Sequence, residues 1–166
     1  MIKRELYMNR IRPFIGGELI KVMTGIRRSG KSVMLELIKE ELAEAGVAPS
    51  QMISINFEDM RYSHLQTATA LHDEIIKRAE GIEGKAYLFF DEIQEVEGWE
   101  KCVNSLRVAL DCDIYITGSN AKLLSGELAT YIGGRYVEFV IYPFSFAEFL
   151  EPVSYTHLTL PTILRV

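Results

Sequence analysis

Residues Gly25-Ile26-Arg27-Arg28-Ser29-Gly30-Lys31-Ser32 satisfy the pattern GxxxxGK[ST] at each fixed position, between an apolar run at 20–24 and an amphipathic stretch beyond. This segment constrains the chain to strand, tight turn and helix in that order, with the turn's backbone aimed at an anion. Successive N–H groups of Ile26 to Lys31 can curl round a β-phosphate, and the first turn of the helix turns its unpaired amides and positive dipole end toward the same charge. Glycines at 25 and 30 allow close approach of backbone to oxygen. Lys31 supplies a mobile cation for β- and γ-phosphates, and the Ser32 hydroxyl is placed to ligate Mg²⁺. The segment reads as a nucleoside-triphosphate cradle; the bland reading is a glycine-rich turn beside an exposed lysine.

The rest of the chain can build a domain around such a cradle. Its 166 residues are 48% hydrophobic, enough for one core, and a formal charge of -5 argues against a broad nucleic-acid footprint. No uninterrupted apolar run reaches bilayer length, and the start Met-Ile-Lys-Arg-Glu-Leu lacks the apolar core of a signal peptide, so a cytoplasmic protein is expected, with no membrane partner. Cys102 and Cys112 have no metal-ligand spacing and are expected as free, buried thiols. His64 and His72 lack ligand-spaced partners.

Five segments have strand composition: 20–24, 51–57, 86–91, 113–117 and 136–141. Between them, Val33, Met34, Leu37, Ile38 and Leu42 share one helical face, as do Leu71, Ile75 and Ala79, and then Trp99, Val103, Leu106 and Leu110. Strand and helix in alternation predict an α/β fold, a parallel sheet covered on both faces. Leu6, Tyr7, Ile11 and Phe14 suggest a short helix and turn before the first strand, and Ser145-Phe146-Ala147-Glu148 after Pro143 has the form of a capping box opening a last helix.

Two later strands end in polar groups. Tyr87-Leu88-Phe89-Phe90-Asp91-Glu92 is a buried-strand pattern that delivers two acids to the ligand edge of a parallel sheet, as a Walker B strand does. Asp91 is expected to hold Mg²⁺ through water, and Glu92 to take a proton from, or orient, the water attacking the γ-phosphate. Without the loop upstream such a pair is as readily a helix cap. Ile114-Tyr115-Ile116-Thr117-Gly118-Ser119-Asn120 is a second apolar strand with a polar end. Asn120 is the candidate γ-phosphate sensor, assisted by Ser119 or Thr117; the alternative is that Ser119 or Asn120 caps a helix at 121–124. Arg135, after Gly133-Gly134, is a candidate to stabilise transition-state charge in its own or a neighbouring subunit, or else a partner of a surface acid. Arg27 and Arg28 are expected to turn outward, solvated or paired with acids, because the backbone makes the cradle; the alternative is that they reach phosphate or a partner. Asn56-Phe57-Glu58-Asp59 ends a strand expected to lie far from the nucleotide, with turn and cap duties for its acids.

Taken together, GIRRSGKS, INFED, YLFFDEIQEVEGWE, ITGSNAKLLSGELA, GGRY and YPFSFAEFL resemble, in order and over residues 1–150, the N-terminal ATPase domain of the bacterial and archaeal AAA-type family 14. The resemblance implies a P-loop NTPase of the ASCE type, a three-layer sandwich with strand order 5-1-4-3-2. It implies Asp91 and Glu92 as Walker B acids and Asn120 as sensor 1. It also implies a C-terminal region, helical and then restriction-endonuclease-like, that this chain lacks. From Val153 the chain reads Val-Ser-Tyr-Thr-His-Leu-Thr-Leu-Pro-Thr, which resembles a translated transposon-based sequencing-library adapter. An ATPase domain over 1–152 and a foreign tail over 153–166 are therefore expected, the alternative being an ordinary C-terminal strand.

The leading expectation is Mg²⁺-dependent hydrolysis of ATP, coupled in a longer protein to conformational change, with ATP and ADP as ligands and a protein or nucleic acid as possible further partner. A second class is a nucleotide-dependent switch with little intrinsic hydrolysis. A third class is a small-molecule kinase; such enzymes usually carry a basic lid segment downstream, and none is visible in this sequence. The absence of an Asn-Lys-x-Asp guanine selector favours ATP over GTP.

Overall fold

The computed structural model describes residues 4–119, 123 and 132–144. The capping box at 145–148 and the tail from 153 lie outside the described residues. The elements are α1 (Glu5–Ile11), β1 (Ile20–Thr24), α2 (Lys31–Glu44), β2 (Met52–Asn56), α3 (Ala68–Ala79), β3 (Ala86–Asp91), α4 (Trp99–Ala109), β4 (Cys112–Gly118) and β5 (Tyr136–Val140), with short 3-10 turns between some of them.

The sheet has the order β2-β3-β4-β1-β5 with each neighbouring pair parallel, which is the order anticipated above. Val22 lies opposite Ile116, Leu88 opposite Ile114, and Ile55 opposite Phe90. β1 and β4 are buried along their full length, as an internal parallel strand with helices on both faces must be. The pleat sends alternate residues to opposite faces. Val22, Ile55, Leu88, Phe90, Ile114 and Ile116 therefore join a cluster with Leu71 and Ile75 of α3 and Trp99, Val103 and Leu106 of α4. Met23, Phe89, Tyr115 and Phe139 join the other cluster, with Met34, Leu35 and Ile38 of α2 and Tyr7, Met8 and Ile11 of α1. Phe89 and Tyr115 stack there, ring centroids 4.9 Å apart. Full burial of each large aliphatic side chain contributes roughly 1.5–3 kcal/mol, so these two clusters hold the layers together.

The helices start where the chain offers a cap or a left-handed glycine. Thr67 accepts a hydrogen bond from the Ala70 amide at the head of α3, while Gly30 and Gly98, at positive φ, open α2 and α4. The buried face of α2 differs in detail from the periodic reading: Leu35 joins the core and Val33 is only half-buried. α1 packs into the same cluster, widening the covered stripe, and Val33 stands at the rim of the cleft described below. Among the described residues no helix is long and apolar enough to cross a membrane.

At the sheet edge opposite the glycine-rich loop, a buried ion pair ties the α1–β1 connection down. Lys21 Nζ donates to Asp113 and to the Gly17 carbonyl, while Asp113 Oδ2 accepts from the Tyr115 hydroxyl at 2.6 Å and the Gly16 amide at 2.7 Å. Both charged side chains are fully buried. Burial pushes the Lys21 ammonium below the ordinary lysine range, against the pull of Asp113. Asp113→Asn is expected to lower stability by about 3 kcal/mol, because a buried ammonium loses its counter-charge; urea denaturation of the two proteins measures it. A loss under 1 kcal/mol would show that Lys21 does not depend on this carboxylate.

Cys102 and Cys112 are free and buried, as expected. Burial raises the Cys102 thiol to about 12 and the Cys112 thiol to about 11. Both should be silent toward a thiolate-seeking reagent at pH 8 in the folded protein and react on denaturation, a contrast that thiol titration with and without guanidinium reads directly.

Candidate nucleotide-binding site

The glycine-rich loop leaves the end of β1 and enters α2 between two close approaches of backbone. A Cβ on Gly25 would lie 2.3 Å from the carbonyl oxygen of Ile141, so that position tolerates no side chain. Arg28 and Gly30 have φ of 63° and 95°, left-handed values that fold the loop into a concavity of N–H groups, the geometry that receives anions. Lys31, the first residue of α2, is buried, and its Nζ donates to the Gly25 and Ile26 carbonyls, both at 3.1 Å. The ammonium thus sits inside the curve of the loop. Arg27 and Arg28 are exposed.

β3 brings its acids to the same edge. Asp91 is buried and its Oδ1 accepts a hydrogen bond from the Thr117 hydroxyl at the end of β4. The same hydroxyl oxygen accepts from the Glu92 amide at 3.0 Å. One threonine thereby fixes both the side chain of the first acid and the backbone of the second, using the single donor and an acceptor lone pair of its hydroxyl. Glu92 has φ 57°, an uncommon value for a residue with a side chain. That turn directs its carboxylate across the strand end, where Oε1 lies 3.7 Å from Lys31 Nζ and Oε2 accepts from the Gln94 side-chain amide at 2.5 Å.

The loop, the acids and two further segments surround an open cleft of about 660 Å³ lined by Arg27, Arg28, Gly30, Lys31, Ser32, Val33, Glu58, Glu92 and Phe144. A smaller cleft of about 300 Å³ adjoins it, with Gln94 and Ser119 on its wall. Of the loop residues, Arg27, Arg28, Gly30, Lys31 and Ser32 line the cleft with Glu92, while Asp91 is buried behind the wall and is tied to Glu92 through Thr117. Asn120 lies outside the described residues, and Ser119 is the last described position of its strand end.

Arg135 is placed elsewhere, which corrects the expectation that it reaches a phosphate within its own subunit. β5 runs parallel to β1 with Tyr136 opposite Ile20, so Arg135 flanks the start of β1. At ~3.3 Å per residue the five residues of β1 set it roughly 17 Å from the loop. Its guanidinium is directed instead to the Asn104 side chain on α4, at 3.4 Å.

Glu58 departs from expectation in the opposite sense. β2 is at the sheet margin, yet Glu58 accepts from the exposed Arg27 side chain at 3.0 Å and lines both clefts. Asn56 and Asp59 do serve the turn, accepting from the amides of Glu58 and Arg61. Two contributors were assigned no role from the sequence. Gln94 lies two positions past Glu92, within the segment YLFFDEIQEVEGWE. Arg4 stands ahead of α1, and its guanidinium reaches the underside of the loop to take the Ser29 carbonyl at 2.7 Å.

Comparison with known proteins agrees with this arrangement. Residues 18–150 match the AAA_14 model, described as an AAA domain. An uncharacterized protein of Haemophilus influenzae is 48% identical over 151 residues, covering 91% of this chain and 38% of that protein. An uncharacterized protein of Methanocaldococcus jannaschii is 41% identical over 133 residues, covering 80% of this chain and 28% of that one. The chain thus spans well under half of the length of either relative. Among solved structures, AMPPCP-bound DnaA from Aquifex aeolicus superposes with a TM-score of 0.56 at 13% identity, over 93% of this chain and 50% of DnaA. The ADP form of the Aeropyrum pernix ORC2 protein superposes at 0.55 and 11% identity, over 91% of this chain and 49% of that one. At such identities the likeness concerns the fold, a P-loop NTPase sandwich. With the family model matching well over half of its length, the chain belongs to the AAA_14 family of AAA domains.

Proposed function

We propose that this domain binds ATP with Mg²⁺ and hydrolyses it by in-line attack of water on the γ-phosphate. The observation that carries the reading is the meeting of Lys31 and Glu92 at 3.7 Å on the wall of one cleft, a phosphate-seeking cation at the start of α2 and a proton acceptor just past the end of β3. On triphosphate binding, the loop amides take the β-phosphate and Lys31 exchanges its two carbonyl partners for phosphate oxygens. Glu92 accepts the proton from the attacking water at its carboxylate. Asn120 takes the sensor role, assisted by Ser119 or Thr117; the hold of Thr117 on Asp91 and Glu92 supports this reading.

The residues at hand suit a hard divalent cation. Ser32 is the second residue of α2, Asp91 ends β3, and both offer oxygen donors of the type Mg²⁺ takes when phosphates complete its shell. When bound, it would neutralise charge on the β- and γ-phosphate oxygens.

One observation favours a second reading, a nucleotide-dependent switch that turns over slowly. The Glu92 carboxylate is engaged by both Gln94 and Lys31, and Lys31 by the loop's own carbonyls, so each group must change partners before acting. Phosphate release at saturating ATP separates the two. Turnover above that of Glu92→Gln supports hydrolysis; binding with release no faster than in that variant sinks the enzyme reading and leaves the switch. The task coupled to ATP belongs, in this proposal, to the region that the longer relatives carry beyond the segment they share with this chain, together with any protein or nucleic-acid partner.

A further inference from the structure

The most deeply buried cation near the cleft is one that the hydrolytic reading does not use. Arg4, ahead of α1, is 1% exposed, and its guanidinium holds two carbonyls among the described residues. Nη1 donates to Ser29 O, inside the glycine-rich loop, and Nη2 donates to Tyr142 O, just past β5, both at 2.7 Å. The guanidinium carbon lies 4.5 Å from the centroid of the Tyr7 ring and 4.7 Å from that of Phe144. Tyr7 adds a direct link, its hydroxyl accepting from the Tyr142 amide at 3.1 Å. The space is filled: a Cβ on Gly30 would come within 2.9 Å of Nη1.

From this geometry we infer that Arg4 is a positioning residue that couples the phosphate loop to the segment 141–144, through which the chain leaves the sheet. The inference rests on the proposed nucleotide binding. A peptide unit is planar and trans, so the Ser29 carbonyl and the Gly30 N–H point in opposite directions from one rigid plate. A phosphate that draws on the Gly30 N–H polarises the carbonyl behind it, and any rotation of the plate moves the atom Arg4 holds. The guanidinium is itself a rigid planar fork, so displacement of one arm is felt at the other, on Tyr142. The segment also touches the loop at its beginning. Ile141 N donates to Thr24 O at 2.7 Å, and the Ile141 carbonyl is the atom that forbids a side chain at Gly25. Phe144 lines the cleft. Loop, amino-terminal helix and exit segment thus share one buried cation, where a lysine offers a single flexible point charge in place of two fixed arms.

Amide hydrogen exchange by NMR, with and without a non-hydrolysable ATP analogue, tests this on the chain and on Arg4→Lys. In the unaltered chain the analogue should slow exchange by roughly tenfold or more at 26–31 and also at Tyr142 and Phe144. In Arg4→Lys, protection at 26–31 should persist, with analogue affinity lowered roughly tenfold, the loss of about one charge-assisted hydrogen bond. Protection at 142 and 144 should fall below about twofold. A purely structural arginine would lower the melting temperature and leave the ratio of protection at the two segments unchanged; that result overturns the coupling. Phe144→Leu removes one ring from the guanidinium at a half-exposed position, and should weaken the coupling in the same direction if Arg4→Lys does not fold. Protection confined to 26–31 in the unaltered chain refutes the inference while leaving nucleotide binding intact. No protection at 26–31 sinks the nucleotide reading itself, and the coupling with it.

Discussion

Lys31→Ala should raise the dissociation constant for ATP by about two to three orders of magnitude. The ammonium is buried within the loop's curve, where its charge is poorly screened by water. Truncating one partner of a desolvated, hydrogen-bonded charge pair costs roughly 2–5 kcal/mol, or about 30-fold to several thousand-fold in affinity. The loss falls below the upper end because Lys31 must first release the Gly25 and Ile26 carbonyls, two bonds that alanine never had to break. Calorimetric titration gives the constant, and thermal melting gives an independent check. At a fixed excess of ATP the unaltered protein gains stability as RT ln(1 + [L]/Kd), and the variant should gain almost none. Affinity within threefold of the original would remove Lys31 from the site, whatever the loop's sequence.

Glu92→Gln should show the opposite pattern, with binding kept and turnover reduced by roughly 10²- to 10⁴-fold, the usual contribution of a positioned proton acceptor. Glutamine matches glutamate in shape, so the left-handed turn at 92 and its amide bond to Thr117 have no reason to change. It removes a negative charge from the wall of the cleft and from beside Lys31, so ATP should bind as tightly as before or more tightly. Single-turnover phosphate release beside equilibrium binding separates the two effects. Equal loss of binding in Lys31→Ala and Glu92→Gln would mean that the two residues share a structural task, and the assigned roles would fall together.

These two residues were legible because their roles depend on local pattern. GxxxxGK[ST] and an apolar run ending in acids are readable within eight or so positions, and their convergence follows once the strands are parallel. Arg135 shows where such reading goes astray. In a parallel sheet the residues that follow a strand share one edge and those that precede it share the other, so an arginine ahead of β5 lies with the start of β1. Glu58 follows β2 and so stands on the ligand edge; the length and exposure of Arg27 carry the contact to it across the sheet. Gln94 received no role from the sequence because its importance comes from the left-handed turn at Glu92, which brings its amide back onto the carboxylate.

The sequence by itself determined the strands, the helices, their alternation and the glycine-rich loop, because steric preference and burial pattern act between residues two to four positions apart. Tertiary structure alone decided which distant groups share a site. Arg4 meets Ser29 across 25 positions and Tyr142 across 138, and Thr117 meets Asp91 across 26. Such meetings depend on the crossovers and the register of the strands. A buried polar group must find a partner wherever the packed layers bring one within reach, and no periodicity along the chain encodes where that will be.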